Sequence, residues 1–98
     1  MSKEHVSEQY VKQIEASAKA FETAMKLLNG EVVQSVKWKA QLAKTKVADE
    51  HFEVLVKGFE EEYKKEKTPD SKLKDLHNRV MKAEKHISTD TELVKKLK

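Results

Sequence analysis

One central stretch decides the fold: residues 36–59 run VKWKAQLAKTKVADEHFEVLVKGF. Read as a helix, this part of the chain presents two apolar stripes that differ by roughly 120–140° around the helix axis. The first stripe consists of Val33, Val36, Ala40, Ala43 and Val47, and the second of Ala48, Phe52, Leu55, Phe59 and Tyr63. A helix over about residues 31–66 would therefore face two surfaces, or would break near residue 48, where Asp49 could cap a new helix.

The same stretch also alternates as β-strands do. The alternating apolar positions are Val36, Trp38, Ala40 and Leu42, followed by Phe52, Val54 and Val56. This pattern would give a two-strand hairpin between two helices. The connector Lys44–Glu50, however, contains no Gly, Pro or Asn for a tight turn. We therefore favour the helix and keep an α+β fold with a two-strand hairpin as the alternative.

The residues before this stretch predict a long amphipathic helix over about residues 4–28. Its apolar positions recur every three or four residues, at Val6, Tyr10, Ile14, Ala18, Phe21, Met25 and Leu28. Asn29 and Gly30 tolerate the left-handed backbone that ends many helices, so they mark its C-terminus.

The residues after it predict a third helix over about residues 69–88. Thr68 can cap this helix, Pro69 fits its first turn, and Asp70 suits the positive end of the helix dipole. Its apolar positions follow a heptad pattern: Leu73, Leu76, Val80, Ala83 and Ile87. Because Ser88–Asp90 resembles a new cap, we expect a short terminal helix over residues 90–97.

Length and composition favour one all-α domain of three main helices, either an antiparallel bundle or a long helical hairpin. The chain has 98 residues, of which 38% are charged, with two Gly, one Pro and no Cys. The lack of Cys excludes disulfides, Cys-bound zinc and thiol catalysis. No apolar run reaches the ~18 residues of a membrane span, and Met1–His5 lacks a signal-peptide core. We therefore expect an intracellular, cytoplasmic protein without a membrane partner.

The sequence shows no arrangement typical of catalysis. His5, His51, His77 and His86 do not stand three or four residues apart, as two metal ligands on one helix would. Two isolated glycines cannot form a phosphate-binding loop. No Ser is placed beside a His and an orienting acid. We therefore expect no enzyme activity, no metal and no cofactor.

The apolar surplus of the central stretch indicates a protein-binding function. A three-helix core needs one stripe per helix, and spare apolar stripes on helices usually cover partner helices. The candidate contact residues are Trp38, Phe52, Leu55, Phe59 and Tyr63, because aromatic side chains dominate interface energies. The acid-rich stretch Asp49–Glu62 would guide a basic partner there, while the small Ala40 and Ala43 would pack against the first helix. The expected function is a non-catalytic helical interaction module that docks on a coiled coil or helix pair, or self-associates.

A nucleic-acid-binding module is the alternative function. Its candidate residues are Lys37, Lys39, Lys44 and Lys46 beside Trp38, and the C-terminal set Lys72, Lys74, Arg79, Lys82, Lys85, Lys95, Lys96 and Lys98. Acids interrupt the C-terminal set, and a basic last turn also suits a helix dipole. The protein-binding hypothesis is therefore preferred.

Residues 52–98 resemble a known family. The pattern is Val56-Lys57 within a helix, a Pro69-Asp70 start, the heptad residues Leu73, Leu76 and Val80, and the break Ser88–Asp90. It is similar to the N-terminal helical region of the SUMO-ligase subunit of the chromosome-maintenance complex that repairs DNA. That resemblance implies docking along the coiled-coil arm of a partner ATPase, and a nuclear location. Since the chain has no Cys, we expect the docking part without the zinc-binding ligase module.

Overall fold

Three helices make up the fold. The computed structural model describes residues 3–97, with side chains from Glu8 onward, and contains helices α1 (Lys3–Asn29), α2 (Val36–Lys65) and α3 (Ser71–Lys96). None of the described residues lies in a strand. The prediction of an all-α, three-helix fold is thus confirmed, and the hairpin alternative for the central stretch is wrong.

Helix α2 begins later than predicted and does not break. Ser35 is its N-cap, and the Ser35 hydroxyl oxygen accepts a hydrogen bond from the backbone N–H of Trp38 at 3.1 Å. The chain before it forms a turn in which Gln34 has a left-handed φ of 69°, so residues 31–35 lie outside the helix. Asp49 is not a cap, because its side chain is buried in the middle of a continuous α2.

Helix α3 is capped by Asp70 rather than Thr68. One Asp70 carboxylate oxygen accepts from the backbone N–H of Leu73 at 2.8 Å, which satisfies one of the free amides of the first turn. The predicted break at Ser88–Asp90 does not occur. The Ser88 hydroxyl donates to the Lys85 carbonyl at 3.0 Å, so it is accommodated within the helix. Ile87 lies just before these residues and Val94 just after them, and both are buried in the same core.

The two connections are short, so each helix returns along its predecessor. α1 and α2 are antiparallel: the Gln41 amide donates to the Ala24 carbonyl at one end, and the Tyr10 and Phe59 rings lie 6.3 Å apart at the other. Helices α1 and α3 therefore run in the same direction. All three pack on one another and form an elongated bundle of 50 × 22 × 16 Å.

One apolar core runs along the bundle. Its buried members are Val11, Ile14, Ala18, Phe21, Met25, Leu28, Trp38, Leu42, Phe52, Val56, Phe59, Leu76, Val80, Ile87 and Val94. Full burial of one large apolar side chain stabilises a fold by about 1.5–3 kcal/mol, so this set holds the helices together. Val11 was not among the predicted core positions of α1, and Val6 lies outside the described side chains.

Acidic residues of α1 pair with basic residues of α3 at intervals of one heptad. Glu8 contacts Lys72 at 3.8 Å, Glu15 makes a two-point hydrogen bond with Arg79, and Glu22 contacts His86 at 2.6 Å. This spacing is the one at which ion pairs flank the apolar seam of parallel helices. The pairs are half-exposed, so each contributes at most about 1 kcal/mol, and their main effect is to fix the register of α1 against α3.

Candidate docking surface

The predicted partner-binding residues lie in the core. Trp38, Phe52 and Phe59 are only 3–4% exposed, and Leu55 and Tyr63 are partly buried against them. The prediction that this stripe is free for a partner is therefore wrong. The physical reason is side-chain volume. Large side chains are needed to fill the space between three helices, and the aromatic rings of α2 supply that volume.

Ring contacts between the helices confirm that the aromatic side chains act internally. The imidazole of His77 on α3 stacks on the ring of Tyr63 on α2, with centroids 4.1 Å apart and planes 12° apart. Phe59 lies 6.3 Å from both His77 and Tyr10, so one ring of α2 bridges the other two helices.

The opposite face of α2 carries the exposed apolar residues. Val36 is 84% exposed, Val47 64% and Val54 68%, and Ala40 and Ala43 between them are also exposed. We call these five residues the outer valine face. The prediction that Ala40 and Ala43 pack against α1 is wrong, because the aromatic side of α2 already fills that space. Val32 and Val33, 77% and 67% exposed, lie in the turn just before the helix.

The outer valine face has the spacing of a helix-binding seam. Its steps of four, three, four and seven residues keep its members in line on a heptad repeat. The inner face of α2 follows the same repeat, from Trp38 and Leu42 through Phe52 to Phe59. Because both faces share one period, a partner helix can follow α2 along the outer valine face for roughly 27 Å, at 1.5 Å per residue.

Lysines line both edges of this face. At about 100° per residue, Lys37 and Lys44 fall along one edge, and Lys39, Lys46 and Lys57 along the other. None of them forms an ion pair with another residue of the described part of the chain. The outer valine face is therefore an apolar strip between two rows of lysines that form no ion pair among the described residues, with the exposed Glu50 on the side of Lys39, Lys46 and Lys57.

The C-terminal basic set is partly neutralised, unlike the five lysines beside the outer valine face. Lys72 and Arg79 pair with glutamates of α1, and Lys95 pairs with Glu53 of α2, which raises the pKa of the Lys95 ammonium through that hydrogen bond. Lys74, Lys82, Lys85 and Lys96 remain exposed, and Lys98 lies outside the described residues. The structure thus does not gather the predicted basic residues into one continuous patch.

Two carboxyl groups are placed where charge is unfavourable. Asp49 is 3% exposed, and its Oδ1 atom has no hydrogen-bond partner within the described residues; burial, followed by the nearby Glu53 carboxylate, raises the pKa of Asp49. Burial also raises the pKa of Glu84 on α3, and the neighbouring Glu60 carboxyl adds to that shift. Both groups lie where α2 and α3 meet, on the side of α2 away from the outer valine face, so they do not contribute to that face.

Other kinds of site find little support in the described part of the chain. Its His, Asp and Glu side chains nowhere gather in a group of three that could hold a metal ion. Among residues 3–97, no helix combines the length and the apolarity required to cross a membrane. An open groove between α1 and α3 is lined by Ala18 and Ala83, and the Glu15–Arg79 and Glu22–His86 pairs border it.

No family model, no curated protein and no solved structure matches this chain.

Proposed function

We propose that this protein is a non-catalytic helical interaction module, and that it docks the outer valine face of α2 on a coiled coil or helix pair of a partner protein. The observation that carries the proposal is the heptad-spaced row of exposed Val and Ala on a helix whose other side is fully used by the core. A bundle gains nothing from exposed valines at this spacing, whereas a partner helix would bury them.

Burial of this face is the source of the expected affinity. Val36, Val47 and Val54 each expose about two thirds or more of their surface. Covering apolar surface is worth about 25 cal/mol per Å². Ala40 and Ala43 have small side chains, so the backbone of a partner helix can approach α2 closely between Val36 and Val47.

A subunit of a chromosome-maintenance or DNA-repair complex is the biological setting that we propose. The resemblance of residues 52–98 to the docking region of the SUMO-ligase subunit supports a coiled-coil partner of that kind. Nucleic-acid binding through Lys37, Lys39, Lys44 and Lys46 is the competing function, supported by the absence of partners for these lysines within the described residues.

Photo-cross-linking from the outer valine face tests the proposal. A photoreactive amino acid at position 47 should cross-link to a helical segment of one partner protein, whereas the same group at Met81, exposed on α3, should not. The identified partner is then titrated with the purified variant Val36→Gln/Val47→Gln. Gln keeps the helix propensity and the charge of the surface but removes its apolar character.

The matched control variant is Met81→Gln/Leu93→Gln, which changes two residues of α3 that are 46% and 47% exposed. We expect the α2 variant to bind at least about tenfold more weakly and the α3 variant to bind within about twofold of the original chain. Equal binding by both variants, or cross-links from position 81 alone, would exclude the outer valine face as the docking surface.

A further inference from the structure

We propose that the partner segment that covers the outer valine face is an acidic amphipathic helix, with Glu or Asp on both sides of its own apolar seam. This inference rests on the docking function proposed above and specifies its partner. The opposite expectation, a basic partner guided by Asp49–Glu62, no longer applies, because it assumed that the aromatic side of α2 was exposed.

The charges beside the outer valine face are mostly positive. Five lysines border it, and the three acids in the same part of α2 do little to offset them. Asp49 is buried, and Glu53, although about half-exposed, forms an ion pair with Lys95. Glu50 is exposed beside this face and is the acid of the three that offsets part of its positive charge. A helix that carries acids beside its seam would meet Lys37 and Lys44 on one edge and Lys39, Lys46 and Lys57 on the other. Charge complementarity of this kind selects partners and speeds their association.

A second copy of the chain fits this surface poorly. If two α2 helices met through their outer valine faces in antiparallel order, each lysine edge would face the same edge of the other copy. In parallel order, each edge would face the opposite edge, which is also basic. In parallel order Lys37 and Lys44 would meet Lys39 and Lys46 of the other copy, and in antiparallel order Lys44 and Lys46 would each meet the same residue of the other copy near the middle of the face. Like charges in apposition across an interface are unfavourable.

A lipid surface and a nucleic acid fit less well than an acidic helix. Helices that lie on membranes insert Trp, Phe or Leu, whereas this face offers only the short side chains of Val and Ala. Nucleic-acid strands bind to basic surfaces that bear exposed aromatic rings, and Trp38, the aromatic residue among these lysines, is 4% exposed. An exposed heptad row matches the seam of a partner helix.

The test uses two synthetic peptides of about three heptads, with Ile and Leu at the seam positions. One peptide has Glu at all positions beside the seam, and the other has Lys there. Each is labelled with a fluorophore and titrated with the full chain at about 50 mM and about 300 mM salt. Anisotropy gives the affinity, and analytical ultracentrifugation of the unlabelled chain gives its oligomeric state.

We expect the acidic peptide to bind at least about tenfold more tightly than the basic one, and more weakly at the higher salt concentration. In the charge-reversal variant Lys37→Glu/Lys39→Glu/Lys44→Glu/Lys46→Glu, the preference should invert. The matched control Lys74→Glu/Lys82→Glu/Lys85→Glu/Lys96→Glu, which changes four exposed lysines of α3, should keep the preference for the acidic peptide.

Several results would overturn this inference. Two concern the peptides: equal affinity for both of them, and retention of the preference for the acidic peptide after charge reversal on α2. Two concern other partners: self-association of the chain without peptide, and tighter binding to phosphatidylserine vesicles or to an RNA oligonucleotide than to the acidic peptide.

The variant Val36→Gln/Val47→Gln separates the two proposals. If peptide binding depends on the valines but not on charge, the docking function stands and only the acidic partner is wrong. If binding depends on charge but not on the valines, the outer valine face itself is not the docking surface.

Discussion

The hydroxyl oxygen of Tyr10 on α1 lies beside Gly58 on α2, so closely that a Cβ atom at position 58 would overlap it. The Cζ atom of the same ring would be 3.2 Å from that Cβ atom. Gly58 is therefore the point at which α2 gives room to a side chain of its neighbour. This explains why a helix of 30 residues contains a glycine at a cost of about 1 kcal/mol in helix propensity.

Gly58→Ala should destabilise the protein although alanine is the better helix former. The new methyl group must displace the Tyr10 ring, and overpacking of this kind costs about 1–3 kcal/mol. In a Tyr10→Ala background, the same change should instead stabilise the protein by about 1 kcal/mol, because the obstacle is gone. Urea denaturation of the four proteins of this double-mutant cycle measures both effects. A stabilising effect of Gly58→Ala in the original chain would contradict the close approach.

Serine substitutions should distinguish the two faces of α2. Phe52→Ser with Phe59→Ser removes two buried rings, each worth about 3–5 kcal/mol, and a domain of this size has only about 5–15 kcal/mol of total stability. We expect this variant to be unfolded, with loss of the helical circular dichroism signal and a red shift of the Trp38 fluorescence. Val36→Ser with Ala43→Ser, on the outer valine face, should cost under about 1 kcal/mol. A folded aromatic variant would show that these rings are not essential to the core.

The three helices could be predicted from sequence because α1 carries one uninterrupted apolar stripe and α3 carries one from Leu73 to Ile87. In α2 the inner stripe is hidden, since two of its positions are occupied by Thr45 and Asp49. Both are buried, and the Thr45 hydroxyl group donates to the Gln41 carbonyl at 2.7 Å. If polar residues are assumed to lie outside, the stripe splits at this point into two shorter ones. With Trp38 and Leu42 set aside, the Val33–Val47 stripe was taken as the first apolar stripe, and its different direction from the Ala48–Tyr63 stripe produced the predicted break near residue 48.

The docking surface could not be predicted for the same reason. Once Thr45 and Asp49 are accepted as inner positions, the steps from Trp38 to Tyr63 alternate between four and three residues without a gap. The valines then fall on the opposite side of the helix. The contacts of Glu15 with Arg79 and of Glu22 with His86 were also beyond prediction, because sequence spacing shows a row of acids but not which helix will lie beside it.

Glu84→Gln should stabilise the protein at neutral pH. Burial and the neighbouring Glu60 carboxyl raise the pKa of Glu84 in the folded state above its value in the unfolded chain. Folding therefore favours the protonated carboxyl of Glu84. Its contribution to the free energy of unfolding is fully present below the pKa of Glu in the unfolded chain, near 4.3, and is lost as the pH rises through the higher pKa of the folded state. Gln cannot ionise, so its advantage should appear at pH 7 and vanish near pH 4. Thermal melts across this range provide the measurement, and an advantage that is larger at acid pH would contradict the assigned direction.

Asp49→Leu should stabilise the protein more than Glu84→Gln does. Asp49 occupies an inner position of α2 between apolar residues, and its Oδ1 atom has no hydrogen-bond partner among the residues that the structure describes. Replacing buried ion pairs with well-packed apolar side chains is often neutral or stabilising by about 1–4 kcal/mol, and Asp49→Leu likewise removes the cost of burying a carboxyl group. The pKa of Asp49 is raised first by burial, then by Glu53, while the Lys95 ammonium lowers it in part.

The sign of the pH dependence follows from that raised pKa. Folding favours the protonated carboxyl, so the charged form reduces stability as the pH rises through the folded pKa, and the gain from Asp49→Leu should be largest at pH 7 and smaller near pH 4. Asp49→Asn, which keeps the shape and the polarity without the charge, should gain less at pH 7 and show no titration of its own. A lower melting temperature of Asp49→Leu at pH 7, together with no gain from Asp49→Asn, would contradict the assigned cost of burying this carboxyl group.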